Sequence, residues 1–379
     1  MRFALAALAS SLILAGCGGG SADTTPRATV KSLKVIGDSL ADSGTFGIKF
    51  TVQGSGVKIY PERIADSFGL SALCNFFQFT GATFAVASPT CTNFAIGGGV
   101  INPASGSYTS DNPLGIAVQL AASLQTVGGT YSATDMLLID GGGNDAAALA
   151  GAYLNAGTNP AAFAGLLSTL VDPTTVAALL SSGPTGAVQA GGLYSAALAN
   201  RMHDLIKANA IDKGATKIVV LNMPGVTNTP RFQYVLGAVA ATAEAAIPGS
   251  GAATRAQVEA IIRGWTEAFN AQLATRMASY SNVVLVDFYT GFNQQVANPA
   301  QFGLTNVTAT ACPATGVGTD GLPTYTFTTC TEANLSALQP DNPNWWKSYA
   351  FSDSFHPTPL GHQLLAQLIS QALAAKGWL

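Results

Sequence analysis

The chain has 379 residues, of which 48% are hydrophobic and only 10% are charged, so it can bury a large core beneath a surface poor in charge. A formal net charge of -3 and the lack of any basic block argue against a protein that binds nucleic acid. The 41 glycines indicate many loops rather than disorder.

The N-terminal segment has the features of an export signal. Arg2 precedes an apolar run over residues 3–14, which is shorter than the roughly 20 residues that span a bilayer. The run ends in the tetrapeptide Leu-Ala-Gly-Cys at residues 14–17, which resembles the lipobox of bacterial lipoproteins. An ordinary cleavable signal peptide with an incidental cysteine is the alternative.

The lipobox resemblance implies a membrane anchor. Residues 1–16 would form the signal peptide, Cys17 would carry the lipid, and residues 17–30 would form a flexible tether. Because no acidic residue directly follows Cys17, the resemblance also implies the outer membrane of a Gram-negative-type bacterium, on its periplasmic side or at the cell surface. We therefore expect an exported protein that is anchored to the membrane through this cysteine.

Short apolar runs alternate with longer helical patterns along the rest of the chain, which we interpret as one domain over residues 31–379. Buried strands are predicted at residues 33–36, 135–140, 217–222 and 283–288. Helices are predicted at residues 60–68, 113–124, 193–209, 232–246, 257–280 and 359–375. This alternation predicts the α/β class, with a parallel central sheet covered by helices on both faces in an α/β/α sandwich.

An Ala- and Leu-rich segment at residues 146–188 interrupts this alternation. Three prolines divide it, so we predict two or three short helices rather than one long one. Such an apolar segment after a strand could form a lid or an acyl-binding wall, and an ordinary packed insertion is the alternative.

Four cysteines follow the lipobox, as expected of a protein in an oxidising compartment. Cys74 and Cys91 are 17 positions apart, and Cys312 and Cys330 are 18 apart, within predicted loops at 70–92 and 305–343. Of three possible pairings we predict these two local disulfides, each contributing about 3 kcal/mol in the chain-entropy model. A zinc site made from all four thiolates would need closely spaced cysteine pairs, which the sequence lacks.

Ser39 is the candidate nucleophile. The strand at residues 33–36 ends at Gly37, and Ser39 follows almost at once. This order places a hydroxyl at the carboxyl edge of the sheet, where open α/β sheets bind their ligands. A turn or a helix cap would use the same residue types.

His356 is the candidate base among only three histidines. His203 lies within a predicted helix and His362 in the first turns of the last helix, where packing or capping suits both. His356 instead lies in a loop, and Asp353, three residues earlier, is close enough to accept its Nδ1 proton. A turn closed by an Asx hydrogen bond would explain the same spacing.

Backbone and side-chain N–H groups could stabilise an oxyanion beside the nucleophile. The candidates are the amides of Ser39 and Gly98 and the side chain of Asn144. An Asn donor in such a position typically lowers the barrier by about 2.7–4 kcal/mol. Tight strand-to-helix turns are the alternative explanation of the glycine runs.

Four blocks resemble, in order, those of the GDSL or SGNH hydrolase family: Gly37-Asp38-Ser39-Leu40, Asn93-Phe94-Ala95-Ile96-Gly97-Gly98, Gly142-Gly143-Asn144-Asp145 and Asp353-Ser354-Phe355-His356-Pro357. The resemblance implies a flavodoxin-like α/β/α fold and hydrolysis of carboxylic esters without a cofactor. It also implies the roles given above: Ser39 as nucleophile, His356 as base, Asp353 as orienting acid, and Ser39, Gly98 and Asn144 in the oxyanion hole. Less specific matches to the lipase/acylhydrolase branch occur at Asp42, Pro224 and Thr229.

We therefore expect a serine esterase or lipase that acts on a small-molecule or lipid ester through an acyl-enzyme. Lysophospholipase, lipid acyltransferase and polysaccharide O-acetyl esterase activities remain open alternatives. A lipoprotein that binds glycan or lipid with a decayed site is the non-enzymatic alternative. No metal is expected, because the sequence lacks His-Glu-x-x-His spacing, and we expect a monomer.

Overall fold

The computed structural model describes residues 28–379. Cys17, the predicted signal peptide and most of the predicted tether lie outside the described residues. Within the described part of the chain, no helix combines the length and the apolar character needed to cross a membrane.

Strands and α-helices alternate through residues 28–379. The strands are β1 (Ser32–Ile36), β2 (Phe77–Phe79), β3 (Phe84–Val86), β4 (Asp135–Ile139), β5 (Ile218–Leu221), β6 (Val283–Val286), β7 (Asn306–Thr310), β8 (Gly316–Val317), β9 (Pro323–Thr324) and β10 (Tyr349–Phe351). The helices are α1 (Tyr60–Ser67), α2 (Ile116–Thr126), α3 (Gly143–Leu154), α4 (Pro160–Ser168), α5 (Pro173–Ser181), α6 (Pro184–Asn209), α7 (Pro230–Ala246), α8 (Gly251–Met277), α9 (Phe288–Ala297), α10 (Glu332–Leu338) and α11 (Pro359–Ala375).

Four strands form the central sheet in the order β1-β4-β5-β6, and all of them are parallel. In their register, Val35 pairs with Leu138, Leu138 with Val219, and Val219 with Val284. Parallel strands need crossover connections, and the intervening helices supply them. The carboxyl ends of all four strands therefore meet at one edge of the sheet.

The strands are apolar at most positions, with Ser32, Lys34 and Asp135 as the exceptions, because both faces of the sheet are covered. Ile139 and Val220 belong to one core with residues of α2, α6, α7 and α8. Leu138 and Val219, which alternate with them, belong to a second core with residues of α1 and α11. These layers confirm the predicted α/β/α sandwich with a parallel central sheet.

The helical insertion differs from its prediction at both ends. Helix α3 already begins at Gly143, and α6 begins at Pro184 rather than at residue 193. Helix α6 continues through Gly191 and Gly192. Glycine is needed at position 191, because a side chain there would overlap the ring of Trp265. The glycine therefore permits close packing of α6 against α8.

The insertion packs into a core of its own. Phe163 and Leu167 of α4 and Val176 of α5 cluster with Tyr194 of α6 and Trp265 of α8. These side chains face each other and the neighbouring helices, which is the arrangement of a packed insertion.

The two cysteine-containing loops hold more regular structure than the sequence predicted. Residues 70–92 include the antiparallel hairpin of β2 and β3, and residues 305–343 include β7, the β8–β9 hairpin and α10. Phe288, predicted to end a strand, instead begins α9. Such short elements carry too few residues to show a period and are stabilised by tertiary contacts.

Both predicted disulfides are present. Cys74 bonds to Cys91 with a Cα–Cα distance of 5.0 Å, and Cys312 bonds to Cys330 with a Cα–Cα distance of 5.4 Å. Each one closes a loop beside the carboxyl edge of the sheet.

Candidate active site

The nucleophile turn follows β1 at the carboxyl edge of the sheet. The Gly37 N–H donates to Gln119 Oε1 at 2.9 Å, and the Ala41 N–H donates to the Asp38 carbonyl at 3.1 Å. A side chain at Gly37 would overlap the Asp140 carboxylate, so the tight turn requires glycine there. This turn holds Ser39, which is buried, at the end of the strand.

The loop over residues 353–356 brings an imidazole to this serine, although Ser39 and His356 are 317 positions apart in the sequence. His356 Nε2 lies 2.7 Å from Ser39 Oγ, and His356 Nδ1 lies 2.8 Å from Asp353 Oδ2. The loop is closed by the Ser352 N–H, which donates to the His356 carbonyl at 2.8 Å. Serine, imidazole and carboxylate thus form one continuous hydrogen-bonded chain.

Asp353 also stabilises the loop itself. Its Oδ1 atom accepts the backbone N–H groups of Phe355 at 2.8 Å and of His356 at 2.6 Å. Burial acts to raise the pKa of Asp353, but His356 and these two N–H groups outweigh it and lower the pKa below its ordinary value. The carboxylate is therefore ionised opposite the imidazole at neutral pH.

The second block lies directly against the nucleophile turn. The Phe94 N–H donates to the Val35 carbonyl at 2.8 Å, and the chain then turns at Gly98, where φ is 86°. A Cβ on Gly99 would lie 2.6 Å from the Gly37 carbonyl oxygen, so only glycine allows this approach. The turn consequently brings the Gly98 backbone close to Ser39.

Three N–H donors converge on this region. The Asn144 side chain donates to the Gly99 carbonyl at 2.9 Å, which places its amide beside the Gly98 turn. Within residues 28–379, the N–H groups of Ser39 and Gly98 have no hydrogen-bond acceptor. Unpaired N–H groups beside a nucleophile are what an oxyanion requires.

Asp42 links the first two blocks. Its Oδ1 atom accepts the N–H groups of Gly44 at 2.9 Å and Thr45 at 2.7 Å, and its Oδ2 atom accepts the Gly97 N–H at 2.9 Å. Burial raises its pKa. The match at Asp42 therefore corresponds to a residue that positions the Gly98 turn.

Asp140, which the sequence analysis did not single out, supports the turn from behind. Its Oδ1 atom accepts the Asp38 N–H at 3.0 Å, and its Oδ2 atom accepts the Tyr60 hydroxyl at 2.8 Å. Burial, and then the charge of Asp38, raises the pKa of Asp140 well above its ordinary value. The sequence feature that could have indicated this role is the position of Asp140, directly between a buried strand and a run of glycines.

Asp145 of the third block supports the loop that follows the Gly98 turn. Its two oxygens accept the N–H groups of Ile101 and Asn102, each at 2.9 Å, and the Ser105 hydroxyl at 2.7 Å. Burial raises the pKa of Asp145 to about 6. Three neutral donors thus surround this carboxylate, and no Lys or Arg within residues 28–379 forms an ion pair with it.

The other two histidines have structural roles. His203 Nδ1 lies 2.8 Å from Asp204 Oδ1, and its Nε2 lies 3.2 Å from the Tyr280 hydroxyl. His362 is fully buried in α11, and burial lowers its pKa to about 3. Neither ring forms a hydrogen bond with Ser39, as the sequence analysis expected.

Aromatic rings surround the imidazole. The ring centroids of Phe50, Phe327 and Phe355 lie 5.1, 5.7 and 6.0 Å from that of His356. They cover much of the imidazole, whose side chain is 12% exposed. Among residues 28–379, no group of three His, Cys, Asp or Glu side chains is arranged to hold a metal ion.

These features define a class of protein: an α/β sandwich that carries a hydrolase-type Ser–His–Asp arrangement at the carboxyl edge of its parallel sheet. The chain belongs to the GDSL-like Lipase/Acylhydrolase family, whose sequence profile matches residues 33–369. Membership supports an ester hydrolase at the level of the family. A search among curated proteins found no match.

Proposed function

We propose that this protein is a serine esterase that hydrolyses carboxylic esters through an acyl-enzyme on Ser39. One observation carries the proposal: His356 Nε2 lies 2.7 Å from Ser39 Oγ while its Nδ1 is held 2.8 Å from Asp353. A base within hydrogen-bonding distance of a hydroxyl, itself oriented by a carboxylate, is the arrangement that activates serine as a nucleophile.

Acylation would begin as Ser39 Oγ attacks the ester carbonyl and its proton passes to His356 Nε2. The new C–O bond converts the carbonyl oxygen into an oxyanion beside the N–H groups of Ser39, Gly98 and Asn144. The ionised Asp353 stabilises the imidazolium. His356 then protonates the leaving alcohol as the ester C–O bond breaks, which leaves the acyl group on Ser39.

Deacylation would repeat these steps with water. His356 removes a proton from a water molecule, which attacks the acyl-enzyme, and the same N–H groups hold the second oxyanion. Breakage of the bond to Ser39 Oγ returns the proton from His356 to the serine and releases the carboxylic acid.

We also propose that Cys17 anchors the mature chain in a bilayer, in a Gram-negative-type outer membrane. The lipobox-like tetrapeptide at residues 14–17 supports this proposal. The aromatic surroundings of His356 further favour an apolar acyl ester over a charged substrate.

Replacing Ser39 with alanine tests the assignment. The Ser39→Ala variant should hydrolyse p-nitrophenyl butyrate about 10³-fold or more slowly than the wild type, because binding and the oxyanion donors alone would remain. A fluorophosphonate probe should label the wild type but not this variant.

Ser195→Ala is the matched control. Ser195 is as buried as Ser39, at 5% exposure against 6%, but its hydroxyl donates to the Gly191 carbonyl within α6. Ser195→Ala should keep both turnover and labelling. Unchanged turnover in Ser39→Ala, in a preparation free of other esterases, would exclude the proposed function.

A further inference from the structure

A narrow cavity leads from the candidate active site into the protein. It begins beside Ser39 and His356 and runs between the carboxyl end of β5 and the helices α9 and α11. The segment from β10 to Pro357 covers it. The cavity thus opens at the nucleophile and extends beneath the loop that carries the base.

The walls of this cavity are mostly apolar. Beyond the nucleophile, the apolar lining includes Leu221, Phe288, Phe292, Ala350, Phe351 and Leu365. Within residues 28–379, no Lys or Arg lines it, and beyond Ser39 its neutral polar side chains are those of Asn222, Thr229 and Gln295. An uncharged apolar group is what such a surface binds.

The size of the cavity limits the group that it can hold. Its volume is ≈ 70 Å³, about half of the roughly 150 Å³ of an engineered apolar cavity that binds benzene, so the cavity accepts a group of about three carbons. An unbranched chain of that length corresponds to a short fatty acyl group, whereas the chains of membrane lipids are longer.

We infer that this cavity, called here the acyl cavity, holds the acyl chain of short esters, whose acid has about two to four carbons. The inference rests on the proposed acyl-enzyme. The acyl group stays bound to Ser39 between the two steps, so a buried cavity at the nucleophile suits it. The alcohol must leave midway, and a polar alcohol would lose its hydrogen bonds to water against these walls.

Two residues determine the length of chain in this arrangement. Ala350 has the smallest apolar side chain in the lining, so a larger residue there would occupy the space of the acyl chain. Phe292 of α9 packs against Phe288 and Phe351, with ring centroids 5.9 and 6.0 Å apart, and closes part of the wall. A smaller residue at position 292 would lengthen the cavity.

The experiment measures kcat/KM for p-nitrophenyl acetate, butyrate, hexanoate, octanoate and decanoate. For the wild type we expect a rise of about fourfold for each methylene up to butyrate, followed by a fall of at least tenfold at decanoate. Ala350→Leu should lower the butyrate-to-acetate ratio at least tenfold, and Phe292→Leu should move the optimum to hexanoate or beyond.

Phe302→Leu is the matched control, because Phe302 is half-buried and packs on the same cluster as Phe292 but does not line the acyl cavity. Its chain-length profile should match the wild type. Profiles of Ala350→Leu and Phe292→Leu that both match the wild type would overturn the inference. That outcome would leave the assignment of Ser39 as nucleophile intact, because this assignment is tested separately by Ser39→Ala and by probe labelling.

Discussion

Individual residues at the site combine catalytic geometry with support of the backbone, and Asp353 shows this most clearly. Its Oδ1 atom holds two backbone N–H groups of its own loop, while both oxygens face His356 Nδ1. Substitution by asparagine would keep one oxygen for the backbone but would place an NH₂ group or an uncharged oxygen opposite the imidazole.

The Asp353→Asn variant should therefore fold but turn over p-nitrophenyl butyrate about 10⁴-fold more slowly, because the imidazole loses its preferred tautomer and its counter-charge. Steady-state kinetics and a thermal melt measure both effects. Asp341→Asn, at an exposed position, is the control and should behave as the wild type. A loss of less than tenfold in Asp353→Asn would contradict the role of the carboxylate.

His362 makes the stability of the protein depend on pH. Its ring is fully buried, its Nε2 atom has no hydrogen-bond partner within residues 28–379, and burial lowers its pKa from 6.5 to about 3. Between these two values the unfolded chain binds a proton at this residue and the folded chain does not. His362 therefore leaves the free energy of unfolding unchanged above pH 6.5 and lowers it increasingly as the pH falls towards 3.

His362→Phe should remove this dependence. Between pH 7.5 and pH 5, the free energy of unfolding of the wild type should fall by about 2 kcal/mol more than that of the variant. Urea denaturation at several pH values measures the difference. Parallel pH profiles for the two proteins would contradict this, because they would show that the pKa of His362 is the same in the folded and unfolded chain.

At the scale of elements, the two disulfide loops differ in their contacts with His356. The loop closed by Cys312 and Cys330 carries Phe327, whose ring lies 5.7 Å from those of both Phe50 and His356. The loop closed by Cys74 and Cys91 carries the β2–β3 hairpin. Only the first loop thus contributes a ring in contact with the base.

Replacing each cysteine pair with alanines separates stability from activity. The loops are 17 and 18 residues long, so both double variants should lose about 3 kcal/mol of unfolding free energy. Cys312→Ala/Cys330→Ala should in addition lose more kcat/KM, because Phe327 would no longer be held against His356. Urea denaturation and ester kinetics test this, and an equal loss of activity in both variants would contradict it.

At the scale of the whole molecule, the low content of charged residues suits a protein that is anchored at a membrane, as proposed for Cys17. With 10% charged residues, the surface has few groups that would keep it from an apolar interface. An enzyme held at a bilayer by Cys17 would meet apolar esters where they partition. We also expect a monomer, which light scattering of the chain without residues 1–17 would test.

Cys17→Ser should release the protein from the membrane fraction and abolish incorporation of radiolabelled palmitate, because one lipid-bearing cysteine provides the proposed anchor. Ser21→Ala, four residues further along the proposed tether, should remain in the membrane fraction and incorporate the label. Membrane retention of Cys17→Ser at the level of this control would refute the anchor.

Local sequence patterns were enough to predict much of the architecture. Short apolar runs predicted all four strands of the central sheet, and helix α11 begins and ends at the predicted residues. Asp353 and His356 were predicted to interact because only three positions separate them. Each of these features depends on residues close together in the chain, so its pattern is visible in the sequence.

The remaining features required the tertiary structure. The contact of Asp140 with Asp38 follows from the pairing of β4 with β1. The requirement for glycine at position 191 of α6 follows from the position of Trp265 on α8. The acyl cavity is bounded by five separate elements and has no pattern along the chain. These features arise from contacts between residues tens to hundreds of positions apart, whose free energy is gained only when the helices and the sheet pack together.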